Sequence, residues 1–365
     1  MFPFPFEPEH YAEQLAAKRQ RLATLLEPFG TPPITVFASP SEGFRMRAEF
    51  RFWHEADGGH FVMFPKGEPN RPMVVTAFPI GHPRINTLME GVRGAVNRNP
   101  LLLQKLYQVE FLVTLSGESL VTLIYHRALE TEWESAAREL QQQLGTSIIG
   151  RSRKQVILLN KNQVDEQLVV NGRTLHYRQM EGGFTQPNAF INQEMLGWAE
   201  RVTASTGGDL LELYCGNGNF TMALARNFRQ VLATEVGKGS VAAAQHNLLA
   251  NGITNTRICR MSSEEISEAI AGKRIFRRLA EQGINPVDYR FSTLLVDPPR
   301  AGLDPATLGL AKDFGKILYI SCNPDSLAAN LATLAATHRI EAVALFDQFP
   351  YTHHMESGLL LSRRN

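Results

Sequence analysis

The stretch Asp209–Phe220 has the sequence DLLELYCGNGNF, in which an apolar run passes through a cysteine into a turn with two glycines. A helical pattern follows over Phe220–Asn227, and Val231–Val236 (VLATEV) is the next apolar run. Further strands, with helices between them, are predicted at Thr293–Val296, Ile317–Ile320, Ala342–Phe346 and Gly358–Ser362. Strands that alternate with helices form βαβ units. The second half therefore predicts an α/β fold, a Rossmann-like, mostly parallel doubly wound sheet whose tail strand is antiparallel.

The chain before about residue 180 has a different pattern. Gly43–Trp53 (GFRMRAEFRFW) alternates apolar and polar residues, as a half-buried strand does. Other strands are predicted at Phe61–Phe64, Val74–Phe78, Phe111–Tyr125 (a hairpin closing at Ser116-Gly117), Ser147–Leu159 and Gly172–Arg178. Helices are predicted at Tyr11–Phe29, Arg84–Val96, Pro100–Leu106 and Thr131–Leu144. We expect an α+β antiparallel-sheet domain over residues 1–180, with the first helix packed on it, and the Rossmann-like domain over residues 181–365.

Composition excludes several classes of protein. No apolar run approaches the roughly 18 residues that a membrane span needs, and the start MFPFPFEPEH lacks a basic segment followed by an apolar one. We therefore expect a cytoplasmic protein that does not contact membranes. The three cysteines, Cys215, Cys259 and Cys322, form no CxxC pair, which argues against a zinc finger or an iron–sulfur cluster. A formal charge of +1 neither indicates nor excludes a polyanionic partner.

Basic and aromatic residues are interleaved in the front domain. The residues concerned are Arg45, Arg47, Arg51 and Trp53 on one strand, then Lys105 and Tyr107. Arginine and lysine can hold phosphates while aromatic rings stack on unpaired bases, so these residues are candidates for RNA contacts. The alternative is an ordinary solvated strand face.

The turn after the first strand of the second half predicts a nucleoside-containing cofactor. It is neither GxGxxG nor a P-loop, but Gly216 lets the backbone approach a ligand, and Glu235 follows about 20 residues later at the next strand end. A carboxylate at that position conventionally holds ribose hydroxyls. The pattern alone leaves a dinucleotide and S-adenosylmethionine open. Asp297, in Val296–Arg300 (VDPPR), begins a rigid turn with free carbonyls, which suits a cationic sulfonium or a planar base.

Cys322 lies in Lys316–Asp325 (KILYISCNPD), where a buried strand passes into a helix. The carboxyl end of a strand is where open α/β sheets bind ligands, and a helix N-terminus favours the thiolate. Cys322 is thus placed as a nucleophile; a small buried hydrophobe is the alternative. Phe346–Glu356 could form a lid with a carboxylate at its end. His353-His354 does not predict a metal site, because adjacent residues on a strand face opposite ways and no third ligand is at hand.

Five blocks in this order resemble the RNA 5-methyluridine methyltransferases. They are FTQPN (Phe184–Asn188), LELYCGNGNF (Leu211–Phe220), VDPPRAGLD (Val296–Asp304), YISCNP (Tyr319–Pro324) and PYTHHMESG (Pro350–Gly358). RMRAEFRFWH (Arg45–His54) and the lack of a clustered-cysteine motif are similar to the tRNA (uracil-5-)-methyltransferase branch, not the ribosomal RNA branch.

The resemblance implies roles for particular residues. Cys322 would be the nucleophile and Glu356 the proton acceptor, while S-adenosylmethionine would be bound by Gln186, Tyr214, Asn219, Glu235 and Asp297. It also implies tRNA as partner, with the T-loop uridine as target and the tRNA-like part of tmRNA as a second one. From the chemistry, Arg300 could stabilise charge on the pyrimidine oxygen. No metal is expected, and we expect a monomer.

Three rival functions have different sequence requirements. A cytosine methyltransferase of the same fold would usually show a PC or TC dipeptide where this chain has SCNP. An adenine amino methyltransferase would have an aromatic residue after the two prolines, where this chain has Arg300. A 5-methyluridine methyltransferase acting on ribosomal RNA remains an alternative. So does an RNA-binding or folding factor that holds the cofactor without turnover, although pure binding would need neither Cys322 nor Glu356.

Overall fold

The computed structural model describes residues 6–65 and 67–364. Its α-helices are α1 Tyr11–Leu26, α2 Pro83–Arg98, α3 Pro100–Leu103, α4 Thr131–Leu144, α5 Ala189–Thr203, α6 Asn219–Leu224, α7 Lys238–Ala250, α8 Ser263–Ile270, α9 Arg277–Glu281, α10 Pro305–Ala311 and α11 Pro324–Leu334. Short 3₁₀ helices lie at Pro8–His10, Glu27–Phe29, Ala225–Asn227 and Pro286–Asp288.

The strands fall into three sheets. They are β1 Ile34–Phe37, β2 Arg47–Glu55, β3 Gly58–Met63, β4 Met73–Val74, β5 Leu106–Val113, β6 Ser119–Tyr125, β7 Ser147–Ser152, β8 Gln155–Leu158, β9 Gln163–Val170, β10 Arg173–Met180, β11 Asp209–Leu213, β12 Gln230–Glu235, β13 Thr256–Arg260, β14 Phe291–Val296, β15 Lys316–Ser321, β16 His338–Phe346 and β17 Glu356–Arg363. No helix in the described ranges is both long and apolar enough to cross a membrane.

The chain divides into two compact units. The first comprises Pro40–Gln167 and Gln179–Ala189 with the described part of Met1–Glu9; the second comprises His10–Ser39, Leu168–Arg178 and Phe190–Asn365. This differs from the single boundary predicted near residue 180. The sequence shows where a pattern changes, but it does not show that the chain crosses between the units several times.

An eight-stranded sheet forms the centre of the second unit, in the order β1-β16-β17-β15-β14-β11-β12-β13. All neighbouring pairs are parallel except those of β17, which runs antiparallel between β15 and β16. The Rossmann-like sheet and its antiparallel tail strand are therefore confirmed. The strand order reverses between β11 and β14, so the carboxyl ends of β11, β12, β14 and β15 meet at the edge where such sheets bind ligands.

Helix α1 belongs to the second unit, so the prediction that it packs on the front domain was wrong. Its Leu22 and Leu26 are fully buried in the same core as Leu331 and Leu334 of α11. Strand β1, which follows it, pairs in parallel with β16. Helical spacing of leucines identifies an apolar face, but it does not identify what that face packs against.

The first unit contains a seven-stranded sheet in the order β4-β3-β2-β5-β6-β7-β8. Its neighbours are antiparallel except β6 and β7, which are parallel and joined through α4. This confirms the predicted antiparallel-sheet domain, including the hairpin at Ser116-Gly117. The strand predicted at Val74–Phe78 is only Met73–Val74, and the helix predicted to reach Leu106 ends at Leu103 because β5 begins at Leu106.

Candidate active site

The glycine turn after β11 is locked to the end of β12. Tyr214 and Gly216 both have positive φ angles, +60° and +56°. The N–H of Gly216 donates to Oε2 of Glu235 at 3.0 Å, and the N–H of Gly237 donates to Oε1 at 2.7 Å. Each carboxylate oxygen retains a free lone pair. Glu235 can therefore hold this turn and still accept hydrogen bonds from ligand hydroxyls.

A side chain at Gly218 would be strained. Its φ angle is +80°, and a Cβ there would lie 2.5 Å from Cε of Met222. Gly218 precedes α6, which begins at Asn219 and runs away from the turn. The turn thus favours glycine at this position mainly because of the backbone angle, since the flexible end of Met222 could move aside.

The side chain of Asn219 is held by a residue that the sequence analysis missed. Asn219 and Asn192 exchange two amide hydrogen bonds, of 2.8 and 2.9 Å, and the backbone carbonyl of Asn219 accepts from the Tyr177 hydroxyl at 2.9 Å. Asn192, on α5, is only 5% exposed. The sequence signal that could have identified Asn192 is an asparagine at helical spacing among apolar residues, since a polar side chain on a buried face needs a hydrogen-bond partner.

Tyr214 is half-buried beside α8. Its hydroxyl donates to Oγ of Ser263 at 2.9 Å, and burial raises the pKa of the phenol. The ring is therefore fixed in one orientation next to the glycine turn.

Cys322 follows β15 directly and precedes α11. Asn323 caps that helix: its Oδ1 accepts from the N–H of Asp325 at 3.2 Å. The Nδ2 of Asn323 donates to the carbonyl of Arg300 at 2.9 Å. One side chain thus ties the segment that carries Cys322 to the turn that follows Asp297.

Cys322 and Glu356 stand at adjacent strand ends. Ser321 of β15 is paired with Ser357 of the antiparallel strand β17. Cys322, which follows Ser321, therefore lies opposite Glu356, which precedes Ser357. Cys322 is half-buried, whereas Glu356 is only 4% exposed. The Oε1 atom of Glu356 has no hydrogen-bond partner among the described residues. A buried carboxyl oxygen without a partner is costly, and it indicates a group kept for a ligand or a reaction.

Burial raises the pKa of three ionisable groups at this edge of the sheet. Burial, with the nearby Asp297, raises the pKa of Glu356 well above its usual value, and burial raises the pKa of Asp297 to about 7. Burial, then Glu356 and Asp297, raise the pKa of the Cys322 thiol to about 11, against the opposing charge of Arg300. At Cys322, burial and then the two carboxyl groups thus act against the thiolate that the helix N-terminus was predicted to favour.

Arg300 is exposed and engaged with a histidine. Its Nη2 lies 2.8 Å from Nδ1 of His354. The ring of His354 lies 4.1 Å from that of His353 between centroids. The guanidinium donates to the ring nitrogen, which is therefore unprotonated.

The connection between β16 and β17 is held by α1. Nζ of Lys18 lies 2.7 Å from Oδ1 of Asp347 and donates to the carbonyl of Phe349 at 2.8 Å. Further along, the N–H of Tyr351 donates to Oε1 of Gln14 at 2.5 Å. The sequence analysis missed this contact. The signal was a lysine on the same helix face as Leu22.

Two of the predicted RNA-contacting arginines are used inside the first unit. Arg45 is half-buried and donates to the carbonyl of Arg47 at 2.9 Å, and burial lowers the pKa of its guanidinium. Arg47 donates to the carbonyl of Gly183 at 2.9 Å and lies 4.0 Å from Glu110. Gln186, predicted to bind cofactor, is half-buried and belongs to this unit.

Two of the other predicted RNA residues, Arg51 and Tyr107, form a stack. The guanidinium of Arg51 lies 3.7 Å from the centroid of the Tyr107 ring, and that ring stacks on His126 at 3.9 Å. Lys105 is exposed with a φ angle of +57°. His126 had not been predicted.

One group of side chains in the described ranges has the types and spacing of a metal site. Ligand atoms of Glu55, Asp57 and His60 lie within 4.8 Å of one another at the β2–β3 turn. Glu55 and Asp57 are exposed, and His60 bonds to Asp57 at 3.2 Å. Nothing else there indicates a cation.

Comparison with known proteins identifies the family. The profile of the family described as tRNA (Uracil-5-)-methyltransferase matches residues 10–364. The chain belongs to this family. It is 54% identical over 359 residues to the tRNA/tmRNA (uracil-C(5))-methyltransferase of Pseudomonas entomophila, covering 98% of this chain and 99% of the relative. The protein of the same name from Cellvibrio japonicus is 55% identical over 354 residues, or 97% and 96% of the two chains. The resemblance inferred from the motifs is thus confirmed.

A solved structure supports the fold. The crystal structure of Pyrococcus abyssi tRNA (uracil-54, C5)-methyltransferase in complex with S-adenosyl-L-homocysteine aligns with a TM-score of 0.75 at 19% identity. The alignment covers 96% of this chain and 83% of the other. At that identity it bears on the architecture alone.

Proposed function

We propose that this protein transfers a methyl group from S-adenosylmethionine to carbon 5 of the T-loop uridine of tRNA, and of the tRNA-like part of tmRNA. Family membership and relatives named tRNA/tmRNA (uracil-C(5))-methyltransferase support the substrate. The observation that carries the chemistry is the half-buried thiol of Cys322 facing the buried carboxyl group of Glu356, whose Oε1 has no hydrogen-bond partner among the described residues.

The residues at the sheet edge suit S-adenosylmethionine, which supplies an electrophilic methyl group when bound. Glu235 keeps free lone pairs for ribose hydroxyls, and Gly216 leaves the backbone of the turn open, since a Cβ there would meet nothing within 4 Å. Asp297 supplies a carboxyl group beside the thiol. We assign Tyr214, Asn219 and Gln186 to the same ligand on the family pattern. The chemistry needs no metal.

Carbon 5 of uracil is a poor nucleophile until carbon 6 is attacked. In the proposed mechanism the half-buried thiol of Cys322 releases its proton to solvent, and the thiolate adds to carbon 6. This gives an enolate whose carbon 5 would take the methyl group of S-adenosylmethionine, leaving S-adenosylhomocysteine. Arg300 stabilises the enolate oxygen once it exchanges its contact with His354 for one with the base. Ionised Glu356 then removes the proton from carbon 5, and the carbon–sulfur bond breaks to release the Cys322 thiolate. Return of that proton from Glu356 to the sulfur restores the thiol and the carboxylate.

RNA recognition is assigned to the first unit. Arg51 and His126 cover the two faces of the Tyr107 ring, so an unpaired base would stack on the exposed ring of His126, and the exposed Lys105 would meet a phosphate. Arg45 and Arg47 are weaker candidates, because both already donate to backbone carbonyls. Contacts in this unit would offset the cost of a few kcal/mol for turning the target base out of its loop.

The decisive experiment incubates the protein with unmodified tRNA transcript and methyl-labelled S-adenosylmethionine, digests the RNA and identifies the labelled nucleoside. We expect label in 5-methyluridine, and none when the T-loop uridine is replaced by cytidine. Label found only with ribosomal RNA would favour that alternative substrate, and tight binding of both ligands without any label would favour a non-catalytic RNA-binding factor.

Two variants test the assigned roles. Cys322→Ala should abolish methyl transfer and leave tRNA binding nearly unchanged, because alanine keeps the β-carbon of this half-buried side chain and removes only the thiol. Glu356→Gln should accumulate a covalent RNA–protein species that survives denaturing electrophoresis, because elimination lacks its base. Wild-type rates in either variant would contradict the mechanism.

A further inference from the structure

A basic groove lies in the first unit at the end of β6 and the β7–β8 turn. Its volume is about 810 Å³, and it is lined by Ile124, Tyr125, His126, Arg127, Ala128, Arg151, Ser152, Arg153, Lys154 and Gln155. Four of these ten residues are arginine or lysine, and none is acidic. Neither the family motifs nor the candidate RNA residues predicted from the sequence include its four cations.

Two of the cations are fixed in place. Arg127 donates from all three guanidinium nitrogens, to the carbonyls of Gln104, Ala128 and Leu101. Arg151 forms a two-bonded pair with Glu181. Arg127 therefore contributes a rigid positive charge to the groove, whereas Arg151 is largely neutralised.

The other two cations are available to a ligand. Arg153 and Lys154 form the two-residue turn between Ser152 and Gln155, and both are exposed. Neither has a hydrogen bond or an ion pair to any other residue in the described ranges. Both cations are solvated, and they can exchange water for an anionic ligand without first breaking a contact within the protein.

The groove continues into the aromatic stack. His126 lines the groove and also stacks on Tyr107, which in turn lies under Arg51. A row of cations beside a stacking ring is the combination by which proteins hold a polynucleotide backbone while they bind unpaired bases.

We propose that this groove binds the sugar-phosphate backbone of the RNA substrate at nucleotides flanking the bases that meet the Tyr107 stack. Arg153 and Lys154 each contact a phosphate, and Arg127 adds long-range attraction. The inference rests on the proposed function for its choice of RNA, but its test measures binding and not methyl transfer.

The test variant is Arg153→Glu/Lys154→Glu, and the matched control is Arg71→Glu/Arg98→Glu, which makes the same change in net charge outside the groove. The dissociation constant of tRNA is measured by filter binding over a range of salt concentrations. The groove variant should bind tRNA roughly tenfold or more weakly, and the slope of log K against log [salt] should fall by about two, because two phosphates are no longer neutralised by the protein. The maximal methylation rate at saturating tRNA should be unchanged.

Three results would overturn the proposal. One is an unchanged affinity and salt slope in the groove variant, and another is an equal weakening in the control, which would indicate a net-charge effect. The third is displacement of tRNA from wild-type protein by inorganic phosphate beyond that caused by chloride at the same ionic strength, which would indicate a small-anion site. If wild-type protein binds tRNA but does not methylate it, the proposed function fails while the salt slopes still decide the role of the groove.

Discussion

Replacing Lys18 by methionine should remove the contact that holds the chain segment before Glu356. Lys18 is 4% exposed and Asp347 is fully buried. Oδ2 of Asp347 already lacks a hydrogen-bond partner among the described residues, so its charge is balanced mainly through Oδ1. The variant would leave that carboxylate buried without its cation and the carbonyl of Phe349 without its donor.

The expected cost follows from this burial. Breaking a buried ion pair by removing one partner typically costs about 3–5 kcal/mol, because an unpaired charge remains inside. The exposed pair of Arg21 and Asp325, 43% and 62% exposed, is a matched control on the same helix. Arg21→Met should cost about 1 kcal/mol or less. Urea denaturation, with the free energy extrapolated to water, measures both.

A double variant separates charge from packing. Lys18→Met/Asp347→Leu removes both charges, and it should recover most of the lost stability because an apolar pair can replace a buried ion pair. A decrease in stability below about 1 kcal/mol in Lys18→Met, or a double variant as unstable as the single one, would refute the reasoning. In Lys18→Met we also expect the covalent RNA adduct to accumulate, because the segment leading to Glu356 is no longer held.

Two further predictions concern the sheet edge and its packing. Alkylation of Cys322 by iodoacetamide should accelerate about tenfold per pH unit between pH 7 and 9, because its pKa of about 11 leaves little thiolate there. Asp297→Asn should make the alkylation faster, because it removes a charge that raises this pKa. A plateau in the alkylation rate below pH 8 would contradict the assigned pKa. Gly358→Ala should destabilise the protein by about 1–3 kcal/mol in thermal or urea unfolding, because a Cβ would lie 2.6 Å from the Trp198 ring. Unchanged stability would show that the Trp198 ring can move aside at no cost.

The second half of the fold could be predicted because its signals are local. The glycine turn at Gly216, the acidic strand end at Glu235 and the cysteine after β15 are each recognisable from a few neighbouring residues, and the sheet brings them to one edge. Helix α4 was predicted to the residue because its apolar positions repeat at helical spacing and Gly145 ends it in the left-handed conformation.

The remaining features depend on partners far away in sequence. Strand β9 was missed because Glu166 interrupts its apolar face. That carboxylate is buried and accepts N–H bonds from Leu115, Ser116 and Gln167, which no local pattern indicates. The partner of Lys18 lies 329 residues away, and the pKa of Cys322 depends on carboxyl groups that only the folded sheet brings near.

The packing of α1 and β1 against elements far along the chain also determines when the second unit can finish folding during synthesis. Helix α1 and β1 leave the ribosome well before the residues they contact, because β1 pairs with β16 and Lys18 bonds to Asp347, 329 residues later. The sheet of the first unit is formed by residues that lie between β1 and β16 in sequence, so it can fold as it emerges from the ribosome. During that time the apolar face of α1 has no packing partner from the later strands. Closing so long a loop is slow. The apolar face of α1 therefore needs protection from aggregation until β16 and the chain around Asp347 have been synthesised.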